Sequence, residues 1–308
     1  TASVSHIGQT ASVGAYFNAI KTAWGEMPVI TGNSVRGILR DYGAQELLDT
    51  YGVAVDKEVF NVLFSGGNIS GATKNDVERA KFVRQHFPIV SLLGGGLGTM
   101  IMSGNVLSGF LYPICMESEE LTHIPSEVSW HDLMDEIEFT RMDDSKDDKK
   151  SKYCENAEAE NTAKASTQMR ISVQYMAPGT RFVQEITLLG SATEMEEAAL
   201  YSAIARWFAT PTLGGMRAKG FGFFDADSEE ISVTGGRIVM SDRVRDLIDK
   251  YHAFLQAEDF EETIKLLATD GGGKKNVKST NKTTGGSEGK VKSEEYFLIL
   301  YLQHFYRH

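Results

Sequence analysis

Arg36 and Arg40 stand one helical turn apart inside PVITGNSVRGILRD, Pro28 to Asp41, a run that reads as an extended segment delivering a helix N-terminus. Gly32, Asn33 and Ser34 offer a turn and an N-cap, while Val35, Ile38, Leu39, Tyr42 and Leu47 recur at helical spacing and predict a buried face. The arginines fall on the other face. Like charges four residues apart near the positive end of a helix dipole are unfavourable unless an anion sits there, and the free N–H groups of a first turn point the same way. A phosphate satisfies all three features. A pair of solvated surface charges is the alternative.

A second cationic element lies far downstream. GGMRAKGFG, Gly214 to Gly222, sets Arg217 and Lys219 among four glycines, including Gly214 and Gly215, between a helix-like run and the strand-like Phe221 to Phe224. Glycines let the main chain approach a polyanion closely, and two cations so placed would contact phosphate oxygens without reading bases. The loop fits neither the GxxxxGK[ST] spacing of a nucleotide-binding loop nor the GxGxxG dinucleotide fingerprint. On its own it also reads as an ordinary sheet turn.

Motifs for catalysis are sparse. The chain has no HExxH, no GxSxG and no EF-hand loop, and its seven histidines are scattered without ligand spacing. His6 has no acid or base partner that the sequence can name, so a structural or nucleic-acid-contacting role is preferred over catalysis. Cys115 and Cys154 form no CxxC and no cysteine–histidine cluster, which argues against structural zinc and against a disulfide scaffold and fits a reducing cytoplasm. No cofactor and no metal site is expected.

The elements that must position these residues can be sketched. A chain of 308 residues with 42% hydrophobic content supports a sizeable core, and its net charge of -11 argues against indiscriminate nucleic-acid binding unless the cations are gathered on one face. Pro88 to Met116 is uncharged and long enough for a membrane span, but its glycines point instead to buried strands joined by bends. Glu138 to Met142 and Gln168 to Val173 have strand composition and flank the polar, mixed-charge run Asp143 to Asn161, which predicts a long β-hairpin, over 138–173, with a flexible tip. Thr193 to Phe208 reads as a second core helix capped by Thr193, with Ala198, Leu200, Ala203, Ile204 and Trp207 inside. Further helices are expected over Arg243 to Ala257 and Phe260 to Ala268. The run 271–292, rich in glycine, lysine, serine and threonine, reads as a linker, and 293–308 as an aromatic-rich terminal helix.

In order along the chain, SHIG (Ser5 to Gly8), PVITGNSVRGILR, SLLGGGLGTMIMSGNVLSGFLYP (Ser91 to Pro113), APGTRFVQEI (Ala177 to Ile186) and GGMRAKGFG resemble segments of the RAMP superfamily of CRISPR effector proteins, and specifically the repeated backbone subunit that coats the guide RNA. The resemblance implies an α+β fold with an RRM-like, ferredoxin-like core over 1–137 and 174–270, into which the hairpin is inserted as a thumb. It implies a first strand lying mostly before Thr1. It also implies RNA contacts from His6, Asn33, Ser34, Arg36, Arg40, Gly214, Gly215, Arg217 and Lys219, with Arg141, Met142, Met169 and Arg170 as the thumb's cations and apolar wedge.

The partners implied are a CRISPR guide RNA, a target DNA or RNA paired to it, further copies of the chain and other effector subunits, with no membrane. In type III complexes the backbone subunit carries a target-cutting aspartate between the HIG segment and the first helix. Here Gln9 to Met27 holds no aspartate, and Glu26 is its single carboxylate. The departure implies a backbone without nuclease activity, as in type IV or type I complexes. Two alternatives stay open: a ribonuclease of the same superfamily using His6 or Asp143 and Asp144, and an assembly scaffold that binds no RNA.

Overall fold

The structure, a computed structural model, describes residues 14–69, 71, 76–141, 169–224, 231–233, 236–238, 242–257, 263–267 and 296–302. The N-terminal part runs through β1 (Gly14–Ala15) and a hairpin of β2 (Asn18–Thr22) and β3 (Gly25–Val29) into α1 (Gly32–Tyr51). After α2 (Lys57–Ser65), β4 (Gly67–Ile69) and α3 (Val77–His86) comes the uncharged run. It opens as a short helix, α4 (Pro88–Leu93), before giving β5 (Gly95–Gly98), β6 (Met100–Met102), β7 (Val106–Ser108) and β8 (Tyr112–Pro113). The expectation of strands throughout is therefore corrected over its first six residues. Pro88 sits at the start of α4, where its missing N–H costs nothing, and Gly94 ends it at a φ of 66°.

Two short helices, α5 (Glu119–Thr122) and α6 (Trp130–Leu133), lead to β9 (Met134–Arg141), which pairs antiparallel with β10 (Met169–Met176) from Met134↔Met176 to Arg141↔Met169. The strand pair is the hairpin expected from composition, begun four residues earlier than Glu138. Then follow β11 (Phe182–Leu188), α7 (Glu194–Ala209), β12 (Ile231–Val233), β13 (Gly236–Ile238), α8 (Asp242–Ala257) and β14 (Tyr296–Leu302). Thr193 caps α7 as read from sequence. Its hydroxyl accepts from the Glu196 amide at 3.2 Å, and the Glu196 carboxylate accepts from the Thr193 amide at 2.7 Å.

The largest sheet has the spatial order β13-β12-β14-β11-β7, with β8 also on β11. Every ladder in it is antiparallel. Along β11 the residues Phe182, Gln184, Ile186 and Leu188 are buried, alternating with more open neighbours. The apolar ones join Val35, Leu39 and Leu47 of α1 and Ala198, Leu200, Ala203, Ile204 and Trp207 of α7 in one core. Read as β14, α1, β7, β11, α7, β12, these elements make the βαββαβ pattern of a ferredoxin-like sheet. The fold is thus α+β. The strand that opens the pattern is the last of the described strands along the chain.

That last point corrects the expected terminal helix. YFLILYL, Tyr296 to Leu302, is a strand, paired on one side with β11 and on the other with β12. A seven-residue run without a polar face suits the centre of a sheet, and periodicity alone does not separate such a strand from a buried helix. The strand-like Phe221 to Phe224 contributes only a bridge, Thr212↔Phe223.

Candidate nucleic-acid interface

The N-terminus of α1 is fixed by close backbone packing. A Cβ on Gly32 would lie 2.0 Å from the Ser108 carbonyl oxygen and 2.6 Å from that of Gly109, so only glycine lets the helix start on the end of β7. Gln184 secures the same corner, donating to Ser108 Oγ and to the Gly109 carbonyl at 2.9 Å each. The cap is Thr31 rather than Ser34: Thr31 Oγ1 accepts from the Ser34 amide at 3.3 Å and shares a 2.9 Å hydrogen bond with its hydroxyl. Asn33 is exposed at this end.

Arg36 and Arg40 are each given protein partners. Both guanidinium groups turn toward the C-terminus of α4, where Arg36 donates to the Leu93 carbonyl and Arg40 donates to the carbonyls of Gly94 at 2.9 Å and Leu93 at 3.4 Å. These oxygens are the negative end of a short helix, so the cations are compensated by main-chain dipoles. Burial lowers the pKa of Arg40, the neighbouring Arg36 charge adds to the effect, and Asp41 opposes it. Gly66 completes the pocket, with its Cβ direction 3.3 Å from the Arg40 guanidinium carbon. The sequence reading of a repelling pair on an open face missed these carbonyls because they arrive from residues more than fifty positions away.

The glycine-rich loop behaves differently. Met216 and Gly220 adopt left-handed conformations, with φ of 58° and 86°, on either side of a single 3-10 turn, Arg217–Lys219. Arg217 and Lys219 are exposed, Gly214 and Gly215 half-buried. Arg217 makes a long 3.4 Å bond to Thr212 Oγ1. Its charge also reaches Asp41 of α1, whose carboxyl is pushed up by burial and pulled back by Arg217 and Arg40. Lys219 Nζ sits 4.6 Å from the Phe139 ring centre on β9. Phe221 meets Phe139 and Tyr175 edge-on, at 5.9 and 6.2 Å.

The loop therefore bridges α1 and the hairpin. Through Lys219 the loop reaches Phe139, two positions before Arg141 on the strand pair that also carries Met169 and Arg170, while Arg217 lies toward Asp41 of α1. Met142 and His6, like Asp143 and Asp144, lie outside the described residues. The aromatic trio Phe139, Tyr175 and Phe221 was not singled out from sequence, although alternation along β9 and β10 could have found two of its members. Charge is mixed here: Asp135, Glu136 and Glu138 are exposed on β9, and Asp135 accepts from the Tyr175 hydroxyl at 3.2 Å.

One further polar cluster joins the helices. Glu46 of α1, 2% exposed, accepts from Ser202 of α7 at 2.6 Å and lies 2.9 Å from Nε2 of His252 on α8. The same Nε2 faces Ser202 at 3.3 Å, so one nitrogen serves both neighbours; a proton relay needs two. The cluster is an anchor between helices. Among the described residues no group of three or more His, Cys, Asp or Glu could hold a metal ion, and no helix is long and apolar enough to cross a membrane.

No family model matches the chain, and no curated protein matches it. Among solved structures, a chain of one titled "Type IV-B CRISPR Complex" is similar, with a TM-score of 0.49 and 18% identity over 72% of this chain and 83% of that chain.

Proposed function

We propose that this chain is a backbone subunit of a CRISPR effector complex that polymerises along a guide RNA, holds its phosphates and presents the spacer for pairing with target DNA or RNA. The observation that carries the reading is the 3-10 turn with left-handed residues at both ends, which holds Arg217 and Lys219 outward between α1 and the hairpin. Such a turn offers charge to a backbone without committing to a sequence, and base pairing supplies the specificity. The ordered series of RAMP-like segments supports it, and the charge of Arg217 reaches Asp41 on the helix that carries Arg36. Asn33 and Ser34 at the head of α1 add hydrogen bonds, and Arg141, Met142, Met169 and Arg170 act as the thumb contact. The RNA runs over the loop and away from the acidic residues of β9. Arg36 and Arg40 contribute through the shape they give the α1–α4 corner.

The subunit holds RNA without cutting it and works in the cytoplasm beside other effector subunits in a type IV or type I assembly. Glu26, the carboxylate of the Gln9 to Met27 stretch, is an exposed residue of β3 opposite Lys21 of β2. The test is purification of the chain expressed with a CRISPR array, comparing wild type with Arg217→Glu/Lys219→Glu. Wild type is expected to carry RNA of discrete length and run as a large assembly, with affinity falling log-linearly in salt. The double variant should keep the wild-type melting transition and lose at least about tenfold in RNA affinity, since reversing two charges removes two phosphate contacts and adds repulsion. Equal RNA content in both proteins, or none in either, overturns the reading.

A further inference from the structure

We infer that the slot between β11 and β12 is an exchangeable strand-binding groove, filled by β14 of the same chain in an isolated protomer and by β14 of a second copy when copies are crowded together. The ladder that fills it is long on one side, running from Phe182↔Leu302 to Leu188↔Tyr296, and is continued on the other from Ile231↔Leu300 to Val233↔Leu298. Its bonds are main-chain bonds. They are therefore the same whichever chain supplies the strand, as in other cases of strand addition.

What differs is the connection. Residues 268–295 separate β14 from the preceding described element, Ile264–Leu267, and a stretch of that length can reach on the order of 90 Å when extended. That exceeds the breadth expected of a domain of this size, so β14 of one chain can enter the slot of a neighbour while every other element stays in place. Removing β14 uncovers two strand edges at the middle of the sheet, together with an uncharged apolar heptapeptide, and neither tolerates water well. A released strand is thus driven into the nearest vacant slot. A connection with the glycine-, serine- and lysine-rich composition of 271–292 would present a chain's own strand at an effective concentration of roughly millimolar, so a second copy competes once neighbouring slots reach that density. The inference goes beyond the proposed function and does not rest on it, because no RNA is required.

The experiment uses two differently tagged full-length chains in a Cys154→Ser background, one carrying Glu185→Cys and the other Ile299→Cys. These positions are directly opposed in the ladder, at a separation a disulfide can span. The chains are mixed unfolded, refolded at about 1 mM or about 1 µM, and oxidised. A covalent heterodimer is expected from the concentrated sample and is expected to fall away at least tenfold in the dilute one. Pairing Glu185→Cys with the out-of-register Phe297→Cys should give none. A single chain carrying both Glu185→Cys and Ile299→Cys should close on itself. Absence of heterodimer at both concentrations while that chain closes overturns the exchange, and failure of that chain to close overturns the groove itself. Thr187→Cys with Phe297→Cys, another opposed pair, repeats the test should the first substitutions prevent folding.

Discussion

Arg40 and Arg217 look equivalent in the sequence and have opposite surroundings in the fold. Arg40 is held against the carbonyls of Gly94 and Leu93 and lies under Gly66, whereas Arg217 is exposed with one long bond to Thr212. Arg40→Ala strips charge-assisted bonds from the end of α4 and should cost about 2 kcal/mol. Arg217→Ala should stay within about 0.5 kcal/mol of wild type. Urea unfolding of the two variants checks the contrast, and equal midpoints would refute it. A helical wheel showed that Arg36 and Arg40 share a face, but it carried no information on the Leu93 and Gly94 carbonyls that meet them. Thr31 was missed as the cap for a smaller reason, because Ser34, two positions inside the helix, has the same chemistry.

Between elements, legibility followed the strength of local signals. The α7 start was legible because Thr193 and Glu196 form a reciprocal cap and the buried positions repeat at helical spacing. The hairpin was legible from composition on both sides of a polar run. β14 was not, since an apolar heptapeptide reads alike as helix or strand until its neighbours are known. The segment from Cys115 to Trp130 shows a different kind of coupling, through Glu117. Burial alone would raise the pKa of this carboxyl, but hydrogen bonds from the Ser129 hydroxyl and the Trp130 amide outweigh it and hold the group below its ordinary value of 4.5. A carboxylate depressed by folding adds stability above its unfolded pKa, and that stability is lost as pH falls through the lower folded value. The link between the segment before α5 and the start of α6 should therefore loosen only below about pH 4.5. The Trp130 amide resonance should titrate in that window, and the titration should vanish in Glu117→Gln. A midpoint above 4.5 would contradict the bonding.

At the scale of the molecule, one strand holds the largest sheet together. β14 lies between the part built from β7, β8 and β11 and the part built from β12 and β13, so deleting residues 293–308 should leave no cooperative thermal transition in calorimetry. A truncated chain that melts sharply near the wild-type temperature would show that β14 is dispensable. The ferredoxin-like order was legible in fragments, through the α1, α7 and loop segments. Its closure by the last described strand was not, because pairing across such sequence distances leaves no local trace.

The position of β14 also bears on how the protein is made. A ribosome delivers α1, β7, β11, α7 and β12 well before the strand that must lie between the last two of its strands. Between the synthesis of β12 and that of β14 the emerging chain therefore carries an incomplete sheet with two edges bare, and compaction of the centre waits for Tyr296–Leu302. Slowing codons placed before Tyr296 would lengthen that exposed interval. The abundance of folded product would then be set by how quickly β14 leaves the ribosome.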